Sequence, residues 1–268
     1  MATATAVQRR FVWYELNTTD PKAGQDFYTK LLGWGLQDFD AGNAAAHEPY
    51  VMWTRDTQPF GGVMRLPDQA RKMGAPPHWL AYVGVSDAVD ATVEQAQTLG
   101  AKVYVPPMDI PGGGRFAVLA DPQGAAFGVV GSAQPTPESD QSPEPQVGEF
   151  AWHELATTDH GAAVRFYNTL FGWEKGEPFD MGPMGVYQLF GRRGRTLGGM
   201  FNKPPEMPAP PHWMLYVRVP DVDQAAERVK GLGGSIIYGP ADVPGGDRIV
   251  QCLDPQGAAF ALVRMKSA

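Results

Sequence analysis

An ungapped internal repeat is the feature that most constrains the fold of this chain. The segment FVWYELNTTDPKAGQDFYTKLLGW, residues 11–34, returns as FAWHELATTDHGAAVRFYNTLFGW, residues 150–173, with 13 of 24 positions identical. Other segments recur in the same order: Gly-Gly at 61–62 and 198–199, Pro-Pro-His-Trp at 76–79 and 210–213, and DPQGAAF at 121–127 and 254–260. Self-similarity on this scale predicts two homologous domains rather than one large domain.

The segment between the two copies predicts a linker. It reads AQPTPESDQSPEPQ and is rich in Pro, Ser and acidic residues, with almost nothing to bury. Such a composition favours an extended chain. We therefore expect a first domain at 7–132, a linker at 133–147 and a second domain at 148–266.

Each domain is itself halved into two modules of βαβββ order. In the first module, Phe11–Leu16 alternates as a strand does, Asp20 offers a helix cap, and Gly33 is placed to end the helix. In the second module a strand at Trp79–Val85 precedes a helical pattern at 87–99. Four such modules predict an α+β fold of curved, mixed and mostly antiparallel sheets with helices outside.

Charge and composition exclude several classes of protein. A net charge of −7 leaves no basic excess to neutralise phosphates, which argues against nucleic acid and anionic membranes as partners. The single cysteine, Cys252, permits no intrachain disulfide, and no apolar run is long enough to span a bilayer. We expect a cytoplasmic protein that acts as a monomer, with the two repeats forming an intramolecular pseudo-dimer.

The motifs together resemble a known family. A strand followed by T-x-D, then FY-x-x-LFGW, and later DP-x-G before a last strand, is similar to the vicinal oxygen chelate superfamily of glyoxalases, bleomycin-resistance proteins and dioxygenases. The tandem form with W-x-E-L, PPHW and DIPG-x-GR resembles actinobacterial glyoxalase-like proteins, which include a secreted mycobacterial antigen and proteins described as hydroxylases. The resemblance covers both repeats, and its members include metalloenzymes and drug-sequestering binders.

The resemblance also implies where a divalent metal would bind. In the metalloenzymes of this superfamily, His, Glu or Gln ligands occupy four strand positions. The corresponding positions of this chain are, in order, Trp13 and Trp152, Ala81 and Leu215, Gly128 and Ala261, and the stretches Gly62–Met64 and Gly199–Phe201. These side chains offer no suitable donor atoms, so we expect no metal at the usual site and no cofactor.

The first strand of each repeat carries the main candidate residues. Strand alternation places Trp13 and Glu15 on one face, and Trp152 and Glu154 likewise. A carboxylate enclosed beside indole rings is predicted to have a raised pKa, which suits Glu15 and Glu154 as general acids or bases or as ligand anchors. The alternative is that each Glu caps a turn or pairs with an arginine such as Arg115 or Arg248.

Further paired residues are candidates for ligand binding. Besides Trp13 and Trp152, which could stack a planar ligand, these are Trp79 and Trp213, His78 and His212, and Arg115 and Arg248. The alternative for the tryptophans is hydrophobic filling of the interior. For the histidines it is a hydrogen bond to nearby backbone.

Two main functional hypotheses follow. The first is a metal-independent glyoxalase-like protein that binds a small aromatic or apolar metabolite or drug in a pseudo-dimer cavity. The second is a lyase, isomerase or oxygenase-like enzyme that uses a cavity Glu or a non-standard metal. A third possibility is a scaffold whose cavities are filled.

Overall fold

The fold is α+β, as the sequence predicts. A computed structural model of the chain describes residues 9–39, 50–85, 88–131 and 144–266. In repeat 1 the elements are β1 (Phe11–Thr18), α1 (Pro21–Leu32), β2 (Gly35–Asp38), β3 (Val51–Arg55), β4 (Gln58–Arg65), α2 (Asp68–Lys72), β5 (His78–Gly84), α3 (Val89–Thr98), β6 (Lys102–Asp109), β7 (Arg115–Ala120) and β8 (Ala126–Gly131). In repeat 2 they are β9 (Phe150–Thr157), α4 (His160–Phe171), β10 (Glu174–Asp180), β11 (Val186–Arg192), β12 (Arg195–Asn202), β13 (His212–Arg218), α5 (Val222–Gly231), β14 (Ser235–Asp242), β15 (Arg248–Leu253) and β16 (Ala259–Arg264). The four predicted βαβββ modules are confirmed.

Each repeat forms an eight-stranded mixed sheet. The strand order is β2-β3-β4-β1-β5-β8-β7-β6 in repeat 1 and β10-β11-β12-β9-β13-β16-β15-β14 in repeat 2. Within each module the first strand pairs in parallel with the last, and the remaining pairs are antiparallel. The parallel pairing places Glu15 opposite Gly62 and Glu154 opposite Gly199. This register positions the candidate site described below.

The first helix of each repeat begins and ends as its sequence predicts. The side chain of Asp20 accepts a hydrogen bond from Ala23 N at 3.1 Å, and that of Asp159 accepts one from Ala162 N at 2.9 Å. Gly33 has a φ of 75°, so it ends α1 in the left-handed conformation that glycine adopts without a steric cost. The capped helix therefore starts directly after the long first strand.

The modules are grouped into two compact units that each draw on both repeats. The first unit combines the second module of repeat 1 with the first module of repeat 2, in the ranges Met1–Val12, Ala81–Pro143 and Trp152–Trp213. The second unit combines the first module of repeat 1 with the second module of repeat 2, in the ranges Trp13–Leu80, Glu144–Ala151 and Met214–Ala268. A module of one repeat thus packs with a module of the other.

Within each unit, a DPQG turn of one repeat holds the first module of the other. In the second unit Gln256 Oε1 accepts from Thr18 Oγ1 and, at 3.0 Å, from Asp20 N. In the first unit Gln123 Oε1 accepts from Thr157 Oγ1 at 2.5 Å and from Asp159 N at 2.6 Å. The glutamine of the repeated motif therefore connects the two repeats in the same way twice.

Some predictions fall outside the described residues. The start of the second helix at 87 and the stretch 133–143 of the predicted linker belong to this group, and the exact domain boundaries stay predictions. Among the helices of the described ranges, none has the length and apolar character needed to cross a membrane.

Candidate functional site

The candidate site begins on one face of the first strand of each repeat. Trp13 and Glu15 are half-buried, whereas Tyr14 and Leu16, which point the other way, are buried. Repeat 2 shows the same pattern at the equivalent positions. Alternation along the strand thus places the indole and the carboxylate side by side, as predicted.

In repeat 1 a tyrosine links the two candidate side chains. Trp13 Nε1 donates to Tyr50 Oη at 3.0 Å, and Tyr50 Oη donates to Glu15 Oε2 at 3.1 Å. Asn17, two residues further along β1, donates through Nδ2 to Glu15 Oε1 at 3.3 Å. The carboxylate is therefore held in place by two side-chain donors.

Repeat 2 builds the same arrangement. Trp152 Nε1 donates to Tyr187 Oη at 2.8 Å, and Tyr187 Oη donates to Glu154 Oε2 at 2.9 Å. The position of Asn17 is occupied by Ala156. We refer to Trp13, Tyr50 and Glu15, and to Trp152, Tyr187 and Glu154, as the two Trp–Tyr–Glu triads.

Burial keeps the tyrosines of both triads protonated. It raises the pKa of Tyr50 well above its usual range, and the neighbouring Glu15 carboxylate raises it further. The pKa of Tyr187 is raised for the same reasons, burial first and the charge of Glu154 second. Each hydroxyl consequently remains an O–H donor to the carboxylate at neutral pH.

A glycine beneath each tyrosine makes room for the triad. A Cβ atom at Gly62 would lie 2.0 Å from Tyr50 Oη, and one at Gly199 would lie 1.9 Å from Tyr187 Cε1. Both glycines belong to the stretches in which the resemblance implies a metal ligand. The tyrosine ring covers the backbone where that ligand side chain would begin.

The other metal-ligand positions do not fit a divalent ion either. A Cβ atom at Gly128 would lie 2.1 Å from the ring of Tyr82, and Ala261 pairs in register with Tyr216. Trp13 and Trp152 offer only an N–H that is already donated to tyrosine. Within the described residues, no group of three His, Cys, Asp or Glu side chains is placed to hold a metal ion. The donor set of this chain therefore does not match the metal centre that the resemblance implies.

Trp79 and Trp213 lie in the hydrophobic core, unlike the open cavity wall considered from the sequence. They are 7% and 8% exposed, and their indole N–H groups donate to Tyr28 Oη at 2.8 Å and Tyr167 Oη at 3.2 Å. Trp79 also packs edge-on against Phe150. The filling alternative describes these two residues better than ligand stacking does.

The histidines and arginines predicted to bind a ligand have partners outside the triads. His78 Nδ1 lies 2.8 Å from Pro76 O, and His212 has the same contact with Pro210 O, as the backbone alternative predicts. Burial lowers the pKa of His78. Arg115 pairs with Asp90 and Asp109, and Arg248 pairs with Asp223 and Asp242, so neither arginine pairs with the triad carboxylates in these ion pairs.

Sequence reasoning missed the tyrosines and Asn17. The signal for the tyrosines was present, because the segments 50–62 and 187–199 align without a gap, with Tyr at the first position and Gly-Gly at the end. Neither segment has the strict alternation that marks a strand residue by its face. The link from Tyr to Glu becomes visible only when the register of β1 and β4 is known.

Comparison with known proteins places this chain in a family. The sequence model of the Glyoxalase/Bleomycin resistance protein/Dioxygenase superfamily matches residues 10–129 and again 149–262. The chain therefore belongs to this superfamily, and it carries the family's domain twice.

Individual relatives are similar in sequence to this chain over nearly its whole length. CFP32 of Mycobacterium tuberculosis is 32% identical over 94% of this chain and 93% of its own length. The anthracycline biosynthesis protein DnrV of Streptomyces peucetius is 34% identical over 95% of this chain and 92% of its own length. Among solved structures, the Mn(II)-bound glyoxalase from Novosphingobium aromaticivorans is similar, with a TM-score of 0.60 over 97% of this chain and 82% of that one. At 19% identity this last likeness supports the fold alone.

Proposed function

We propose that this protein binds a small, planar aromatic or apolar molecule at its Trp–Tyr–Glu triads, without a metal ion. The observation that carries the proposal is the triad itself. It is built twice, and the glutamate is the one member of each triad that commonly ligates a metal ion. Within the described residues it is not joined by the further His, Cys, Asp or Glu side chains that would complete a metal site.

The chemistry of the triad suits such a ligand. A half-buried indole offers a flat apolar face, and stacking an aromatic ring on it contributes about 0.5–1.5 kcal/mol beyond the area buried. The carboxylate beside it offers a fixed acceptor that can orient the ligand. The name of the relative DnrV connects it with the biosynthesis of anthracyclines, which supports a planar aromatic ligand class.

A double tyrosine variant tests the binding proposal. Changing Tyr50→Phe and Tyr187→Phe together removes the hydroxyls that join Trp to Glu in both repeats. We expect affinity for polycyclic aromatic compounds, measured by equilibrium dialysis, to fall about tenfold, because two buried hydrogen bonds are lost at each site. Tyr104→Phe is the matched control, since Tyr104 is 48% exposed on β6. Equal affinities in the triad variant and the wild type would contradict the proposal.

Elemental analysis tests the metal-independent part. Untagged protein purified without chelators should bind ligand and carry no stoichiometric transition metal. A metal at one equivalent per repeat would contradict the donor-set argument and direct attention to His78 and His212.

An enzyme is the second candidate, and one observation favours it. Glu15 and Glu154 are half-buried and held by a tyrosine hydroxyl, which is how a general acid or base is positioned. If the protein is a lyase, isomerase or oxygenase-like enzyme, Glu15→Gln with Glu154→Gln should abolish turnover and leave the fold intact. Undiminished turnover would remove this acid–base role.

We propose that the chain functions as a monomer. The support is that each compact unit already combines a module from both repeats. Light scattering should give a mass near 29.0 kDa. Twice that mass at micromolar concentration would contradict the proposal.

A further inference from the structure

The hydrogens of each triad are all turned inward. The single N–H of Trp13 goes to Tyr50, and the single O–H of Tyr50 goes to Glu15. In repeat 2 the N–H of Trp152 and the O–H of Tyr187 are used in the same way. A ligand that needs a donor from the indole or the phenol would have to break one of these bonds.

What a triad presents to a ligand is therefore an aromatic face and a carboxylate. A carboxylate is an acceptor only, so its natural complement is an O–H or N–H group. An anionic ligand would instead place a like charge beside a half-buried carboxylate, which costs several kcal/mol in an interface. Asn17 adds to this in repeat 1, since its donor group is also directed at Glu15.

The two arginines considered as ligand-binding candidates are paired with carboxylates outside the triads, which also argues against an anionic ligand. Arg115 donates through Nε and Nη2 to both oxygens of Asp90, at 2.7 and 2.9 Å. Arg248 makes the matching pair with Asp223, at 2.8 and 2.9 Å. These two cations are neutralised by neighbouring surface carboxylates.

From this donor and acceptor inventory we infer that the triads select neutral or cationic aromatic compounds that carry a hydroxyl or amino group, and reject aromatic carboxylates. The inference rests on the proposed function and names the ligand class of the same site. It also assigns Glu15 and Glu154 as the residues that determine this specificity.

Matched probes test the inference on the wild-type protein. The probes are phenol and benzoate, 2-naphthol and 2-naphthoate, and unsubstituted naphthalene, each titrated by calorimetry at neutral pH. In at least one ring size, the hydroxyl compound should bind about tenfold or more tightly than the carboxylate of the same ring system, because only the hydroxyl can donate to the Glu.

A charge-neutral variant identifies the cause of the selectivity. Glu15→Gln with Glu154→Gln keeps the shape, removes the charge and adds an amide donor, so the ratio of affinities should shrink about tenfold. Glu94→Gln, at an exposed position on α3, controls for the loss of a carboxylate outside the triads and should leave the ratio as it is.

The outcomes separate this inference from the proposed function. If hydroxyl and carboxylate probes bind the wild type equally well, or if the double variant keeps the wild-type ratio, the inference is overturned while aromatic binding stands. If no probe binds in either ring size, both are overturned. The wild-type ratio needs no variant, so a double variant that fails to fold does not remove the test.

Discussion

We expect a buried histidine of the first unit to make the stability of the protein depend on pH. His153 is 6% exposed and its ring stacks on Phe11, with centroids 4.3 Å apart and an interplanar angle of 18°. Its Nδ1 lies 2.9 Å from Leu197 O, so the neutral ring with a proton on Nδ1 fits the site. Burial lowers the pKa of His153 to about 4, and the charge of Arg195 contributes to the lowering.

The direction of the effect follows from where the proton binds. In the unfolded chain a histidine has a pKa of about 6.5 and takes up a proton as pH falls below that value. The folded protein resists protonation until about pH 4. The stabilisation from this residue is therefore fully present above about pH 6.5 and is lost as pH falls towards 4.

The magnitude follows from the two pKa values. Each unit of separation is worth about 1.4 kcal/mol, so the full loss is about 3 kcal/mol, of which about 2 kcal/mol falls between about pH 7 and about pH 5. Urea unfolding followed by circular dichroism at these two pH values measures the loss. The same measurement on His153→Tyr supplies the reference, because other titrating groups, including His78, are common to both proteins.

The equivalent position of repeat 1 suggests both the substitution His153→Tyr and the reverse substitution Tyr14→His. Tyr14 occupies the equivalent position and stacks on Phe150 at 3.9 Å and 18°, so tyrosine is a residue that this environment accepts in the other repeat. His153→Tyr should lose about 2 kcal/mol less than the wild type over the interval. Tyr14→His should show an added loss of the same sign. Equal pH dependence in the wild type and His153→Tyr would refute the reasoning.

Three further changes test the structure around the triads. Gly62→Ala should lower the free energy of unfolding by about 1–3 kcal/mol in a calorimetric scan, because its Cβ would lie 2.0 Å from Tyr50 Oη. Gly231→Ala in α5 is the control, and it should be neutral or stabilising because the space around its Cβ is open. Asp159→Ala removes the cap of α4 and should cost about 1 kcal/mol in urea unfolding, while an unchanged value would show that the cap is not needed. Gln123→Ala should cost about 1–3 kcal/mol, since Thr157 and the backbone N–H of the Asp159 cap lose their acceptor, and no change would mean that solvent replaces it.

Local patterns were enough to predict the modules. The alternation of the first strand, the Asp20 cap and the Gly33 terminus are short-range signals, and the structure confirms each of them. The βαβββ pattern requires the strands β2 and β10, but their positions were not predicted. Every residue of both is exposed, so they lack the apolar alternation by which a strand is recognised.

Tertiary position could not be predicted for residues whose chemistry suits two environments. A tryptophan after Pro-Pro-His fits a cavity wall and a core equally well, and Trp79 lies in the core, where Tyr28 on α1 accepts its N–H. Arg115 fits an anion site and a surface ion pair, and Asp90 and Asp109 lie within reach. In each case the deciding partner belongs to a different element of the chain.

The triads depend on a partner that is distant in the sequence. Trp13 and Glu15 are two residues apart on one strand, so their shared face could be predicted. Tyr50 approaches them from another part of the sheet and fits only because position 62 lacks a side chain. Hydrogen bonds through the tyrosine therefore join tryptophan to glutamate, and the glycine leaves the space that the tyrosine ring occupies. Repeat 2 has the same arrangement while Ala156 replaces Asn17, so the arrangement does not depend on that extra donor.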